Sequence, residues 1–184
     1  MDAGATPDLL EPDDLLKMPD GGGYELIEGV PKEMPVGAES EEIAGLLLTQ
    51  LNNFIRPNQL GRAYPSSTGF QCFPHKPKSV RKPDVSFVAT ARLPNGRSPQ
   101  GHIKVAPDIA VEVVSPDDSY EEVETKVADY RLAGVKLIWV ISPKAKTVLV
   151  RRLNGTCAEL DVTGELSGED VLPGFACKVA ELFV

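Results

Sequence analysis

Pro107-Asp108-Ile109-Ala110-Val111-Glu112-Val113-Val114-Ser115-Pro116-Asp117-Asp118-Ser119-Tyr120-Glu121-Glu122, continued to Ser142, decides the fold. The first eight residues form a β-branched run after a proline, ended by the breaker cluster Ser115 to Asp118, and they read as a buried strand. Side chains alternate along a strand, so Ile109, Val111 and Val113 share one face while Asp108, Ala110, Glu112 and Val114 share the other. Ser119 with Glu122 three residues later is a capping box, so a helix starts there. Val123, Val127 and Tyr130 continue at helical spacing, and Gly134 suits the residue after the last turn. Lys126 falls at the margin of that apolar stripe. Leu137-Ile138-Trp139-Val140-Ile141 then returns as an apolar strand, and a strand-helix-strand unit of this kind requires a right-handed crossover and parallel pairing.

Outward from this unit, the pattern predicts a short acidic helix over Glu11 to Lys17, a break at Gly21-Gly22-Gly23, and a β-hairpin from Tyr24 to Met34. A long amphipathic helix follows from Glu39 to Arg56, ended by Pro57. Short strands are expected at Arg62–Tyr64, Gly69–Phe73 and Val80–Val88. Residues 89–104 read as a loop long enough to form a mobile flap beside a site. Asn154-Gly155 marks a second hairpin, and the apolar tail from Leu172 to Phe183 docks on the body.

The 184 residues carry a formal net charge of −8 and fit a single domain, 1–184, with residues 1–10 expected to be flexible. An acidic chain is a poor non-specific polyanion binder, because such binding rests on phosphate neutralisation and counterion release. The N-terminus lacks a signal-peptide pattern and no apolar run approaches a membrane span, which gives the expectation of a cytoplasmic protein without a membrane partner. Cys72, Cys157 and Cys177 are odd in number, widely spaced and not in Cys-x-x-Cys spacing, a pattern that argues against a disulfide framework or zinc knuckle.

Two strand carboxylates stand out, Asp84 directly after Pro83 and Glu112 inside its Val/Ile run. An unpaired carboxylate is costly inside a strand core, so Glu112 points to a specific partner or a function. Together with Lys126 the two acids form a constellation suited to Mg²⁺, a hard cation bound by few carboxylates plus waters and phosphate. An ammonium beside them can stabilise charge on a phosphate or assist a water. The densest positive run, His75, Lys76, Lys78, Arg81 and Lys82, is either a solvated loop or a source of phosphate contacts.

The succession Tyr24-Glu25-Leu26-Ile27-Glu28-Gly29, Lys82-Pro83-Asp84-Val85, Glu112 in its strand followed by Ser115-Pro116, Lys126 with Tyr130, Gly134, Trp139-Val140 and Leu172-Pro173-Gly174-Phe175 closely resembles the Uma-type family of the restriction-endonuclease-like PD-(D/E)XK superfamily. The resemblance spans Leu15 to Phe183. It implies an α/β, restriction-endonuclease-like core: a mixed central β-sheet flanked by helices, with an N-terminal β-hairpin and helix. It also implies a Mg²⁺- or Mn²⁺-dependent endonuclease acting on DNA, with Asp84 and Glu112 as metal ligands, Lys126 as the basic catalytic residue, and Glu25 or Glu28 as a further acid. In the superfamily pattern the lysine stands two residues after the strand acid, where this chain has Val114, so Lys126 would serve from the helix. Ser40 stands near the place of a histidine often seen in the family. Lys76, Lys78, Arg81 and Lys82 are the expected phosphate contacts, and a homodimer is a further expectation. The rival readings are an inactive nuclease-fold module that binds protein or nucleic acid, and a small-molecule phosphoesterase.

Overall fold

A computed structural model describes residues 9–35 and 37–183, so most of the N-terminal stretch expected to be flexible lies outside the described residues. Six strands form the central sheet in the order β3 (Gly61–Pro65), β4 (Val85–Ala89), β5 (Ile109–Val113), β6 (Leu137–Ser142), β7 (Thr147–Arg152) and β8 (Cys157–Leu160). β5 and β6 are parallel, as the crossover argument requires, and every other neighbouring pair is antiparallel. The sheet is therefore mixed, and the helices α2 (Ala38–Asn58) and α3 (Tyr120–Leu132) flank it.

The alternation read from the sequence sorts the core into two layers. Val85, Phe87, Ile109, Val111, Val113, Trp139 and Ile141 pack with Ile43, Leu47, Leu51 and Ile55 of α2. The tail completes that layer with Leu172, Phe175 and Val179, and it carries the small hairpin of β9 (Glu165–Ser167) and β10 (Ala176–Lys178). Val88, Ala110 and Ile138 face the other way, against Val123, Val127 and Tyr130 of α3. Both faces of β5 are thus buried, and Glu112 is a carboxylate in an apolar layer.

The helix signals act as read. Ser119 accepts from the Glu122 backbone N–H while the Glu122 carboxylate accepts from that of Ser119. Gly134 adopts φ +86°, and the Val135 N–H reaches the Tyr130 carbonyl at 3.0 Å, closing the helix in a left-handed cap. Ser119→Ala should cost about 1 kcal/mol, read as a lower urea midpoint with an unchanged denaturant slope.

Four expectations need correction. Pro57 does not end α2 but lies within its last turn, and Gln59 in the left-handed region at φ +53° caps the helix. Only one late N–H is forfeited there, which the helix end tolerates. The strand expected over Val80–Val88 begins at Val85, since Pro83 lacks a donor, and Val80 and Arg81 make only isolated bridges to Leu26 and Phe70. Phe70 likewise makes bridges, to Arg81 and Ile103, in place of the strand expected over Gly69–Phe73. Residues 89–104 are pinned: Leu93, His102 and Ile103 are buried, and Ile103 exchanges backbone bonds with Gly69 and Gln71. N-terminally, α1 (Pro12–Leu15) precedes the hairpin of β1 (Tyr24–Ile27) and β2 (Val30–Glu33), whose turn uses Glu28 at φ +50° and Gly29 at φ +90°. All three cysteines are free thiols.

Candidate active site

The antiparallel register of β4 and β5 sets Val85 against Val111, and one further step brings Asp84 level with Glu112. Directly opposed residues on neighbouring strands have Cβ atoms roughly 4.5–5.5 Å apart, close enough for their carboxylates to repel. Asp84 Oδ2 accepts from the Val113 N–H at 2.6 Å, which ties the acid across to β5. Both carboxylates line one cleft of about 180 Å³, together with Lys126, Ser40, Glu41 and Ser67.

Glu112 receives two donors from α3. Lys126 Nζ lies 2.7 Å from Oε2, and the Tyr130 hydroxyl donates to Oε1 at 2.5 Å. Lys126 and Tyr130 are four residues apart and so lie on one helix face, one turn above the other. Lys126 is no solvated margin charge: its side chain is only 13% exposed. Burial pulls its ammonium pKa down, but Glu112, Glu25 and Asp84 outweigh that and hold it above the usual lysine range. It is a cation at neutral pH.

The acids are pushed the other way. Burial, and then the Glu112 charge, raise Asp84 to about 8 against the opposing help of the Val113 N–H and Lys126. Burial also raises Glu112, with Lys126 pulling it down. Two donors point at Glu112, so it is the better-supported carboxylate, and Asp84 is the acid that holds a proton near neutrality. Tyr130, buried and beside Glu112, is raised well above the ordinary phenol value and stays a donor.

A second, buried ionic network backs the cleft. Arg81 gives Nη1 to Glu25 at 2.8 Å and Nη2 to Asp129 at 2.6 Å, while Glu25 also accepts from the Lys82 N–H at 2.7 Å. Lys76 reaches the other oxygen of Asp129 at 2.7 Å. Asp129 lies three residues after Lys126, so Arg81 ties the hairpin to the helix that carries the site lysine. This corrects the reading of Arg81 and Lys82 as phosphate contacts. Arg81 and Lys82 are each 3% exposed, and the Lys82 ammonium donates to the carbonyls of Gly21 and Gly22. Lys78 pairs with Glu11 at 2.5 Å.

Glu25 stands behind the site, its charge felt by Lys126, Glu112 and Tyr130, with both oxygens already taken. Glu28 is exposed at the hairpin turn and does not line the cleft. Glu41, which sequence reasoning passed over, does line it, and its charge adds to the upward push on Asp84.

Among the described residues, no group of three or more His, Cys, Asp or Glu side chains is placed to hold a metal ion. The donor set still fits Mg²⁺ or Mn²⁺. Such ions take one or two carboxylates and complete their shell with water and phosphate oxygens, and a divalent charge would offset the burial that raises both acids and the Glu112 charge that raises Asp84 further. No described helix is long and apolar enough to cross a membrane.

Comparison with known proteins agrees with this architecture. A solved structure described as "a putative nuclease belonging to DUF820 from Anabaena variabilis" superposes with a TM-score of 0.78 at 24% identity, covering 95% of this chain and 97% of that one. Among curated proteins none matches. The family profile Uma2, described as "Putative restriction endonuclease", matches residues 12–180. With nearly the whole chain matched in one span, from the first helix to the docked tail, the protein belongs to the Uma2 family of restriction-endonuclease-like proteins.

Proposed function

We propose that this protein is a divalent-metal-dependent phosphodiesterase acting on DNA, with Asp84 and Glu112 holding Mg²⁺ or Mn²⁺ and Lys126 as the catalytic cation. The observation that carries the reading is a buried carboxylate, Glu112, and a half-buried one, Asp84, opposed in one cleft, with an ammonium 2.7 Å from the first. Folding alone gives no reason to oppose acids across two strands, whereas a bound cation does. When bound, the ion polarises a phosphoryl oxygen and lowers the pKa of its water.

The chain's own groups do the rest. Glu112 is held in one rotamer by Tyr130 and Lys126, so a ligand oxygen is pre-aimed. Lys126, kept protonated, places a fixed positive charge where a phosphorane develops negative charge, and electrostatic stabilisation therefore suits it better than a general-base role. Asp84 must lose its proton to bind a cation, so metal affinity and activity rise with pH towards about 8.

The inactive binding-module reading has one observation in its favour: both oxygens of Glu112 already have protein partners. Incubating purified protein with single-stranded, duplex and branched DNA, with Mg²⁺, with Mn²⁺ and with neither, decides between them. Metal-dependent cleavage supports the phosphodiesterase, and binding without cleavage supports the module. Lys126→Ala should lower cleavage by on the order of 10²–10³-fold, while Lys126→Arg, which keeps the charge, should retain more than the alanine variant. Full activity in the alanine variant would exclude Lys126 from the site.

A further inference from the structure

Beside the carboxylate cleft lies a second cavity, of about 360 Å³, which shares Gly22 and Ser67 with it as common walls. Its volume is that of a small-ligand site. Four pieces that are distant in sequence build it: the stretch from α1 to the glycine turn, the end of β3 with the loop after it, Lys82, and residues 98–103. They are tied together. His102 Nε2 donates to the Pro12 carbonyl at 2.8 Å, the Tyr64 hydroxyl and Ser98 Oγ lie 2.9 Å apart, and the Ile103 N–H donates to the Gly69 carbonyl at 2.9 Å. A Cβ on Gly69 would lie 2.4 Å from the His102 ring, so this glycine is required for the wall to close.

The lining chemistry narrows the occupant. Leu15, Met18 and the Tyr64 ring supply apolar surface, and Thr68 and Gln100 supply neutral hydrogen-bonding groups that have no side-chain partner among the described residues. The lining includes no carboxylate, and its one ammonium, Lys82, already donates to two backbone carbonyls while a third N–H stays available. A phosphate would need more positive charge than this. A flat, uncharged ring with hydrogen-bonding edges matches it.

The charge balance points the same way. The chain is net −8, Arg81 and Lys82 are buried on internal partners, and Lys76 and Lys78 are each paired with a carboxylate of the chain. Backbone contacts alone would hold a nucleic acid weakly, so a pocket for a neutral part of the strand would supply what the charges do not.

The geometry points to this cavity as the pocket for one unstacked nucleobase of the strand whose phosphate enters the Asp84–Glu112 cleft. The substrate class is then a single strand, or a duplex with an unpaired or extruded nucleotide, since a stacked base cannot reach a side pocket. This inference rests on the phosphodiesterase reading above, and two readouts on the full chain separate the two.

The first is the affinity of a fluorescein-labelled single-stranded oligonucleotide, with Ca²⁺ as the divalent ion, compared with a series carrying one abasic residue at successive positions. The wild type should lose about tenfold or more at one position, a loss typical of a missing base contact. Thr68→Trp, which fills the cavity, should bind the intact strand at that weakened level and be insensitive to the abasic residue. Gln100→Trp, at an exposed position, repeats the test should Thr68→Trp melt at a lower temperature than the wild type. A flat abasic series in the wild type, no detectable binding, or unchanged affinity in a folded filled variant would overturn the assignment. The second readout is Mn²⁺-dependent hydrolysis of bis-(para-nitrophenyl) phosphate, a phosphodiester without a base. Both cavity variants should keep it within about twofold. Its absence in the wild type alongside a position-dependent abasic effect would defeat the phosphodiesterase reading and leave the base pocket standing. Its presence beside a flat abasic series would do the reverse.

Discussion

Glu112→Gln is expected to abolish metal-dependent cleavage and, unlike most changes at a functional site, to destabilise the fold by about 3 kcal/mol. The reason is Lys126. Its side chain is only 13% exposed and Glu112 is the group its ammonium donates to, at 2.7 Å, so the neutral amide strands a cation in the α3 layer. Breaking a buried pair by removing one partner costs about 3–5 kcal/mol, and the low end applies because Glu25 and Asp84 still face the ammonium. Thermal melting should show a fall of roughly 6–12 °C, given about 2–4 °C per kcal/mol for a chain of this size. The double variant Glu112→Gln/Lys126→Met should recover most of that stability without recovering any cleavage. A double variant that melts as low as the single one would show that the pair's charge is not the cause.

Asp84→Asn should also abolish cleavage, yet it should stabilise the protein at neutral pH by about 1–3 kcal/mol. The folded pKa of about 8 lies above the ordinary value of 3.8, so the native state keeps a proton that the unfolded chain releases. The stability this proton contributes is fully present below the unfolded pKa and is lost as pH rises through the folded one, over a window from about pH 4 to 8. One side of Asp84 faces the open cleft, which limits how much of the shift reaches the folding equilibrium. The amide can keep the bond from the Val113 N–H through its oxygen while removing the repulsion with Glu112. The wild type should therefore lose stability between pH 5 and 8 relative to Asp84→Asn, as read from urea midpoints across that range. Equal pH dependence in the two proteins would mean that Asp84 is not the group concerned.

Opposite stability effects from two neighbouring acids distinguish their roles. Burial raises both acids, but Glu112 is braced by the side chains of Lys126 and Tyr130, whereas Asp84 has no side-chain donor among the described residues and is the carboxylate the fold would be more stable without. A site kept at the expense of stability is the usual mark of a functional constraint.

The strand-helix-strand unit was legible in the sequence because its signals are local: a β-branched run, a capping box three residues wide and Gly134 at the helix end. The alternation of β5 likewise gave the face that Glu112 shares with Ala110. What was not legible depends on pairs far apart in the chain. Arg81 meets Asp129 and Glu25 across 48 and 56 residues, and a cluster of basic residues read alone has the pattern of a solvated loop or a phosphate grip. Asp129 carries no signal of its own on a helix with other charges. Glu41 was hidden because an acid in the first turn of α2 is already explained by the helix dipole. The turn acid Glu28 and the buried Glu25 looked equivalent in sequence, and only the hairpin's left-handed residues separate them. The loop over residues 89–104 lines the second cavity and not the Asp84–Glu112 cleft, and its buried Leu93, His102 and Ile103 hold it fast.

The central claim is that Asp84 and Glu112 together bind a divalent cation, and Mn²⁺ binding followed by electron paramagnetic resonance tests it without requiring turnover. The wild type should bind one Mn²⁺ per chain, with affinity rising as pH is raised towards about 8, and Mg²⁺ should compete for the site. Asp84→Asn, expected to be the more stable protein, should bind none. A wild type that leaves the free-Mn²⁺ signal undiminished, or an Asp84→Asn variant that binds as tightly as the wild type, would contradict the account.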